Sequence, residues 1–122
     1  MLYLASPYSA PIPAMSRRRF EIVCECAGFL MAGGLHVFSP IAHSHPIAIS
    51  CNLGLGWDYW AEFDRKMIEM CDQFAVLMLP AWEDSVGVRA EIQIARELGR
   101  VINGIEFPFG NPPTIVPMEQ FL

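Results

Sequence analysis

Two carboxylic acids stand where apolar residues belong. Asp64 lies four residues after Trp60, seven after Trp57 and four before Ile68. Glu91 lies three after Val88, four before Ala95 and seven before Leu98. At ~100° per residue each falls inside the apolar stripe of a helix. On the first helix Trp57, Trp60, Phe63, Met67, Ile68 and Cys71 share one side, and Asp58, Glu62, Arg65, Lys66 and Glu69 share the other. On the second, Val88, Ile92, Ala95 and Leu98 face in and Arg96 and Glu97 face out. An unpaired buried carboxylate costs several kcal/mol or takes up a proton. A loop cap or an Arg partner would account for one such residue; two on consecutive helices point to a shared pocket. A buried carboxyl pair divides its labour, one ionised as nucleophile and one protonated as acid.

Other polar groups are candidates for the same site. The turn Trp82-Glu83-Asp84-Ser85-Val86-Gly87 opens the second helix. Ser85 there reads as a helix cap or, with the first backbone N–H groups, as an anion site. Gly87 is costly inside a first turn unless something approaches closely. Asp72 reads as a cap or turn residue, and Arg17, Arg18 and Arg19 as a solvated face or a phosphate contact. His43 and His45, with His36 and Cys51, have the right ligand types for zinc but not a standard spacing. Ser39, His43 and Ser44 suit the wall of a substrate pocket better, so no metal is expected. A Ser–His hydrolase is set aside because G-x-S-x-G is absent from the sequence.

The elements that must position these groups follow from pattern and punctuation. Residues 2–5 (LYLA) read as a buried strand, 14–32 as a helix stopped by Gly33 and Gly34, and 35–38 (LHVF) as a second strand. Residues 40–56 show no clear period and hold two prolines and two glycines, which reads as a long functional loop. Helix 57–71, strand 73–79 and a helix from Ser85 to about Leu98 follow. Residues 101–103 read as a short strand, 104–113 as a loop and 114–116 as a last strand. The alternation implies a three-layer α/β domain of the flavodoxin/Rossmann-like kind, with a parallel sheet of four to five strands and helices on both faces. Such sheets bind ligands at the carboxyl ends of their strands, here at Ala5–Tyr8, Ser39–His45 and Pro80–Ser85.

Bulk properties narrow the partners. The 122 residues fit one domain, 1–122, and 53% of them are hydrophobic, enough for a core without staples. Cys24, Cys26, Cys51 and Cys71 read as reduced core or near-core residues of a cytoplasmic protein. A net charge of −5 with only eight Lys and Arg argues against a nucleic-acid polymer. No membrane partner is expected, because no apolar run approaches ~20 residues and the start lacks a signal-peptide pattern. Neither GxGxxG nor GxxxxGK[ST] occurs.

Taken together, YLASPYS near the start, FSPIAHSHPIA, W-x-x-W-x-x-x-D, C-D before a strand and S-x-G-x-x-x-E-I-x-x-A resemble the nucleoside 2-deoxyribosyltransferase-like superfamily. Within it they look most like a small bacterial and phage branch related to the deoxynucleotide N-glycosidases. The resemblance covers about residues 2–103 and rests on the order and spacing of the motifs together. It implies a Glu nucleophile at Glu91, an acid for the departing base at Asp64 (eight before the strand-opening Asp72), and a positioning Tyr at Tyr3. It also implies a phosphate-contacting Ser at Ser85. The nucleotide-hydrolysing members carry a Gly- and Arg-rich loop after the first strand. Here that loop reads SPYSAPIP, without Gly or Arg.

The expected function is N-glycosidic cleavage or transfer on a nucleoside, nucleotide or related N-glycoside, with catalytic Glu91, Asp64 and Tyr3 and no cofactor. Substrate contacts are expected from Ser6, Tyr8, Ser39, His43, Trp57, Trp60, Ser85 and Gly87, with Tyr8, Trp57 and Trp60 stacking a base. The alternatives are a non-catalytic nucleotide or nucleotide-sugar binding module and a metal-binding protein using His43, His45 and Cys51. A homo-oligomer, at least a dimer, is expected because residues 40–56 carry Ile47, Ile49, Leu53 and Leu55 with few charges.

Overall fold

The first strand carries its apolar residues without alternation, as a strand covered on both faces must. In the computed structural model, which describes residues 1–108 and 110–118, Leu2–Ala5 (β1) is buried along its whole length. It lies between Val37–Phe38 (β2) and Gln73–Leu77 (β3), both parallel to it. Ile102–Glu106 (β4) continues the parallel set beside β3, and Thr114–Pro117 (β5) closes the edge antiparallel to β4. The order β2-β1-β3-β4-β5 is that of a doubly wound sheet. The expected three-layer α/β architecture is thus present, with one amendment: the sheet is mixed, its fifth strand reversed. Of the expected domain 1–122, Phe109 and residues 119–122 lie outside the described residues.

Each face has its own core. Pro13–Ala32 (α1) lays Val23, Cys26, Ala27 and Leu30 on Leu2, Leu4, Ala75, Leu77 and Ile105. The opposite face holds Tyr3, Ala5, Phe74, Val76 and Ile102 under Ile68 of Trp57–Met70 (α3) and Val88, Ile92 and Ala95 of Val86–Glu97 (α4). Arg100 ties these two helices down, donating to Cys71 O at 3.0 Å, Glu69 O at 3.2 Å and Leu98 O at 3.1 Å. It thereby satisfies carbonyls that helix ends leave open.

Two expectations fail here. Residues 40–56 are not one long loop, because Pro40–Cys51 is a helix (α2). Ser39 caps it, its Oγ accepting from Ala42 N–H at 3.0 Å, and Pro40 sits at the first position, where a missing N–H costs nothing. Asn52 ends it in the left-handed region at φ 53°. Pro46 is inside the helix, and burial of Ser44 and Ala48 holds the helix there. Residues 104–113 are not all loop either, since β4 runs through Gly104 to Glu106. A Cβ at Gly104 would meet Met118 Cγ at 2.8 Å and Met78 Cε at 2.9 Å, so this glycine marks close packing inside a strand rather than a turn.

Candidate active site

At a doubly wound sheet's switch point, successive crossovers leave in opposite directions and open a crevice. Here the chain leaves β1 toward β2 and β3 toward β4, and a cavity of about 440 Å³ occupies that position. Ser6, Tyr8 and Ser9 reach it from the end of β1, and Pro40, Ile41, Ser44 and His45 from α2. Trp57, Asp58, Trp60 and Asp64 come from α3, with Leu55 and Gly56 just before it. Asp84 and Ser85 precede α4, which supplies Val86, Gly87 and Glu91.

Asp64 and Glu91 are the acidic residues buried in the described chain, 7% and 3% exposed. Glu91 finds its partner in Tyr3, whose hydroxyl donates to Glu91 Oε2. The Tyr3 ring is fully buried, stacked on Phe74 at 5.7 Å between centroids and tilted against Phe38 at 5.8 Å, so its hydroxyl is fixed from below. An Arg partner, the structural explanation open to either carboxyl, is found for neither among the described residues.

Burial dominates the electrostatics. It pushes the Asp64 carboxyl up to about 7. It pushes Glu91 up to about 8, where the Tyr3 hydrogen bond pulls back down and the Asp64 charge pushes further up. Burial, then the charges of Glu91 and Asp64, holds Tyr3 well above the usual phenol range, so it donates as a neutral hydroxyl. The carboxyls repel each other's ionised forms, so the pair shares protons near neutral pH. Burial weighs toward a protonated Glu91, and the Tyr3 bond favours its ionised form.

Of the residues expected at the site, Ser6, Tyr8, Trp57, Trp60, Asp64, Ser85, Gly87 and Glu91 line the cavity, and Tyr3 lies beneath Glu91. Ser85 caps α4, its Oγ accepting from Val88 N–H at 3.2 Å. Gly87 is on the wall, where a Cβ would meet Trp57 Cε3 at 3.7 Å, an ordinary contact, so the close approach expected there is not required by the protein itself. Trp60 Nε1 donates to Gly54 O at 2.6 Å, tying its ring to the segment before α3.

Ser39 and His43 lie off the wall. The Ser39 hydroxyl is spent on the α2 cap, and His43 stacks on Phe63 at 5.5 Å. His45 takes the place expected of His43: Tyr8 Oη and His45 Nδ1 are hydrogen-bonded, and the imidazole stacks on Phe20 at 4.3 Å. The missed signal was the helix itself, since residues 41, 44, 45 and 48 share a face once α2 is recognised. The two histidines therefore face different neighbours, and no group of three His, Cys, Asp or Glu among the described residues is placed to hold a metal ion. All four cysteines are free; Cys26 and Cys71 are buried, while Cys51 is exposed at the end of α2 rather than near the core. Asp72 is exposed, accepting from the Met1 ammonium at 2.5 Å. Arg19, from the expected basic cluster, donates to Ser9 O at 2.7 Å and to Tyr8 O at 3.5 Å.

Residues 1–105 match the model of a family described as a domain of unknown function, DUF1937. The chain belongs to this family. The DUF1937 match takes in β1 through Ile105 of β4, hence every residue of the cavity wall, and leaves β5 outside. No curated protein matches the chain.

Proposed function

We propose that this DUF1937 domain cleaves or transfers N-glycosidic bonds of a nucleoside, nucleotide or related N-glycoside. One observation carries the reading: a buried Glu, hydrogen-bonded by a buried Tyr and electrostatically coupled to a second buried acid, lines a cavity flanked by two Trp rings. In the protonation state of the pair that leaves the proton on Asp64, Glu91 is ionised, is steadied by Tyr3 and attacks the anomeric carbon. The C–N bond breaks, its electron pair passes to the base nitrogen, and Asp64 delivers its proton there. Water then attacks the anomeric carbon, giving its proton to Asp64 and freeing Glu91, or a second base does so and completes a transfer. Trp57 and Trp60 offer apolar faces for the base. No metal or organic cofactor enters these steps.

The reading includes a homo-oligomer. Ile47, Ile49 and Leu55 are exposed around α2, with Ile49 at 57%, and a second subunit would cover them. It also places the protein in the cytoplasm, where four free cysteines stay reduced; among the described residues no helix is long and apolar enough to cross a membrane.

The test is incubation with a panel of ribo- and 2′-deoxyribonucleosides and their 5′-monophosphates, with free base measured by chromatography. Release by the parent and none by Glu91→Gln is expected. No release from any member, or equal release by both proteins, would refute the reading.

A further inference from the structure

The wall of the cavity has an uneven chemistry. Asp58, Asp64, Asp84 and Glu91 bring four carboxyl groups to it, and among the described residues no Lys or Arg lines it. Of the neighbouring arginines, Arg19 is already engaged, donating to the carbonyls of Tyr8 and Ser9. His45, which does line the cavity, is held toward its neutral form by burial and by the Arg17 charge. On the same side Ser6 is 4% exposed, and its Oγ is buried with no hydrogen-bond partner. A hydroxyl in that position has no partner within the protein and is open to one from a molecule in the cavity.

We propose that the cavity selects an uncharged N-glycoside, a nucleoside rather than its 5′-phosphate, and that Ser6 Oγ is a specificity-determining contact to a hydroxyl of the sugar. This rests on the glycosidic reading above and narrows its substrate. A phosphate monoester brings close to two negative charges. On a wall that carries four carboxyls and no Lys or Arg, with only the Arg17 charge felt from beside His45, these charges are poorly compensated. The first backbone N–H groups of α4 favour an anion. Against them, the Ser85 cap already takes the Val88 N–H, and Asp84 sits just before the helix on the same wall. A neutral hydroxyl avoids this conflict. It can accept from Ser6 or donate to it, and so gives a partner to the fully buried Ser6 oxygen, which has none within the described protein.

The experiment is equilibrium binding by calorimetry, with purine and pyrimidine nucleosides and their matched 5′-monophosphates titrated into the parent protein and into Ser6→Ala, alongside a base-release assay on the same compounds. At least one nucleoside is expected to bind about ten-fold or more tighter than its monophosphate, and Ser6→Ala is expected to weaken that nucleoside by roughly five- to ten-fold. Because Ser6→Ala removes an unsatisfied group, its melting temperature should equal or exceed that of the parent, which separates a lost contact from a damaged fold. Monophosphates bound as tightly as nucleosides, a nucleoside affinity unchanged in Ser6→Ala, or binding of neither class would each overturn the inference. Base release confined to monophosphates would overturn it while upholding glycosidic cleavage. Selective nucleoside binding that depends on Ser6, without base release, would uphold it and refute the cleavage.

Discussion

Replacing Glu91 by Gln should make the protein's stability less sensitive to pH. Glu91 ordinarily titrates near 4.5, and burial pushes it up to about 8 in the folded chain. A carboxyl whose folded pKa is raised favours folding fully below its unfolded value and loses that contribution as pH rises through the folded one. At pH 7 the unfolded side chain is ionised and the folded one largely protonated. Folding must then take up a proton across the gap of about 2.5 pH units between 4.5 and 7, a cost of ~3 kcal/mol at ~1.4 kcal/mol per unit. Gln has no such cost. Its amide can still accept from Tyr3, but it buries N–H groups without a partner, a pH-independent penalty of about 1–3 kcal/mol. The absolute difference at one pH is therefore small, and the diagnostic is the slope. Urea unfolding at several pH values from 4.5 to 8 should show Glu91→Gln gaining on the parent by ~3 kcal/mol between pH 4.5 and pH 7. For a domain of this size that is roughly 10 °C in melting temperature. A difference that stays constant across this range would refute a buried, proton-holding Glu91; a variant that loses ground as pH rises would show that an unrecognised cation had been pairing with it.

Three other outcomes follow from the geometry. Tyr3→Phe removes the donor that favours ionised Glu91, so kcat/KM for base release should fall about 10–100-fold, consistent with losing a hydrogen bond to a charged group, and the acidic limb of the pH–rate profile should move to higher pH; an unmoved limb would deny Tyr3 its role. Arg100→Met should lower stability by about 2 kcal/mol in urea unfolding, because three carbonyls at the ends of α3 and α4 lose their donor, and a change under ~0.5 kcal/mol would show that water replaces it. Sedimentation at micromolar concentration should give a dimer or larger species that Ile49→Asp dissociates; a parent monomer would refute cover over α2.

The carboxyl pair was legible because it broke a pattern. Asp64 and Glu91 interrupt apolar stripes that are otherwise regular, and a period of 3.6 needs no tertiary information to be read. The α/β order was legible for the same reason: β1 and β3 are short apolar runs, each followed by a helix of clear spacing. What stayed hidden depends on contacts between distant parts of the chain. In α2, Pro46 and the scarcity of charged residues erase the period, so its signal was confined to the ends, Ser39-Pro40 at one and Asn52 at the other. Without that period the sequence does not separate His45 from His43, two residues away and on another face. Gly104 looks like loop in sequence because nothing there shows Met78 and Met118 closing on it. The unpaired Ser6 hydroxyl could not be read at all, since a missing partner is a property of the folded surroundings.

The reversed β5 strand also bears on how copies of this domain can meet. A sheet that ended at β4 would offer a parallel edge of open amides and carbonyls, a template on which another chain could zip up. β5 occupies that edge and is itself a poor template: Pro117 lacks an N–H, and Pro112 and Pro113 stiffen the approach to it. At the opposite margin β2 offers only two residues, Val37 and Phe38. Both borders of the sheet are thus guarded against strand-to-strand addition, so the second subunit proposed above would have to meet this one through its helices rather than by open-ended stacking of strands.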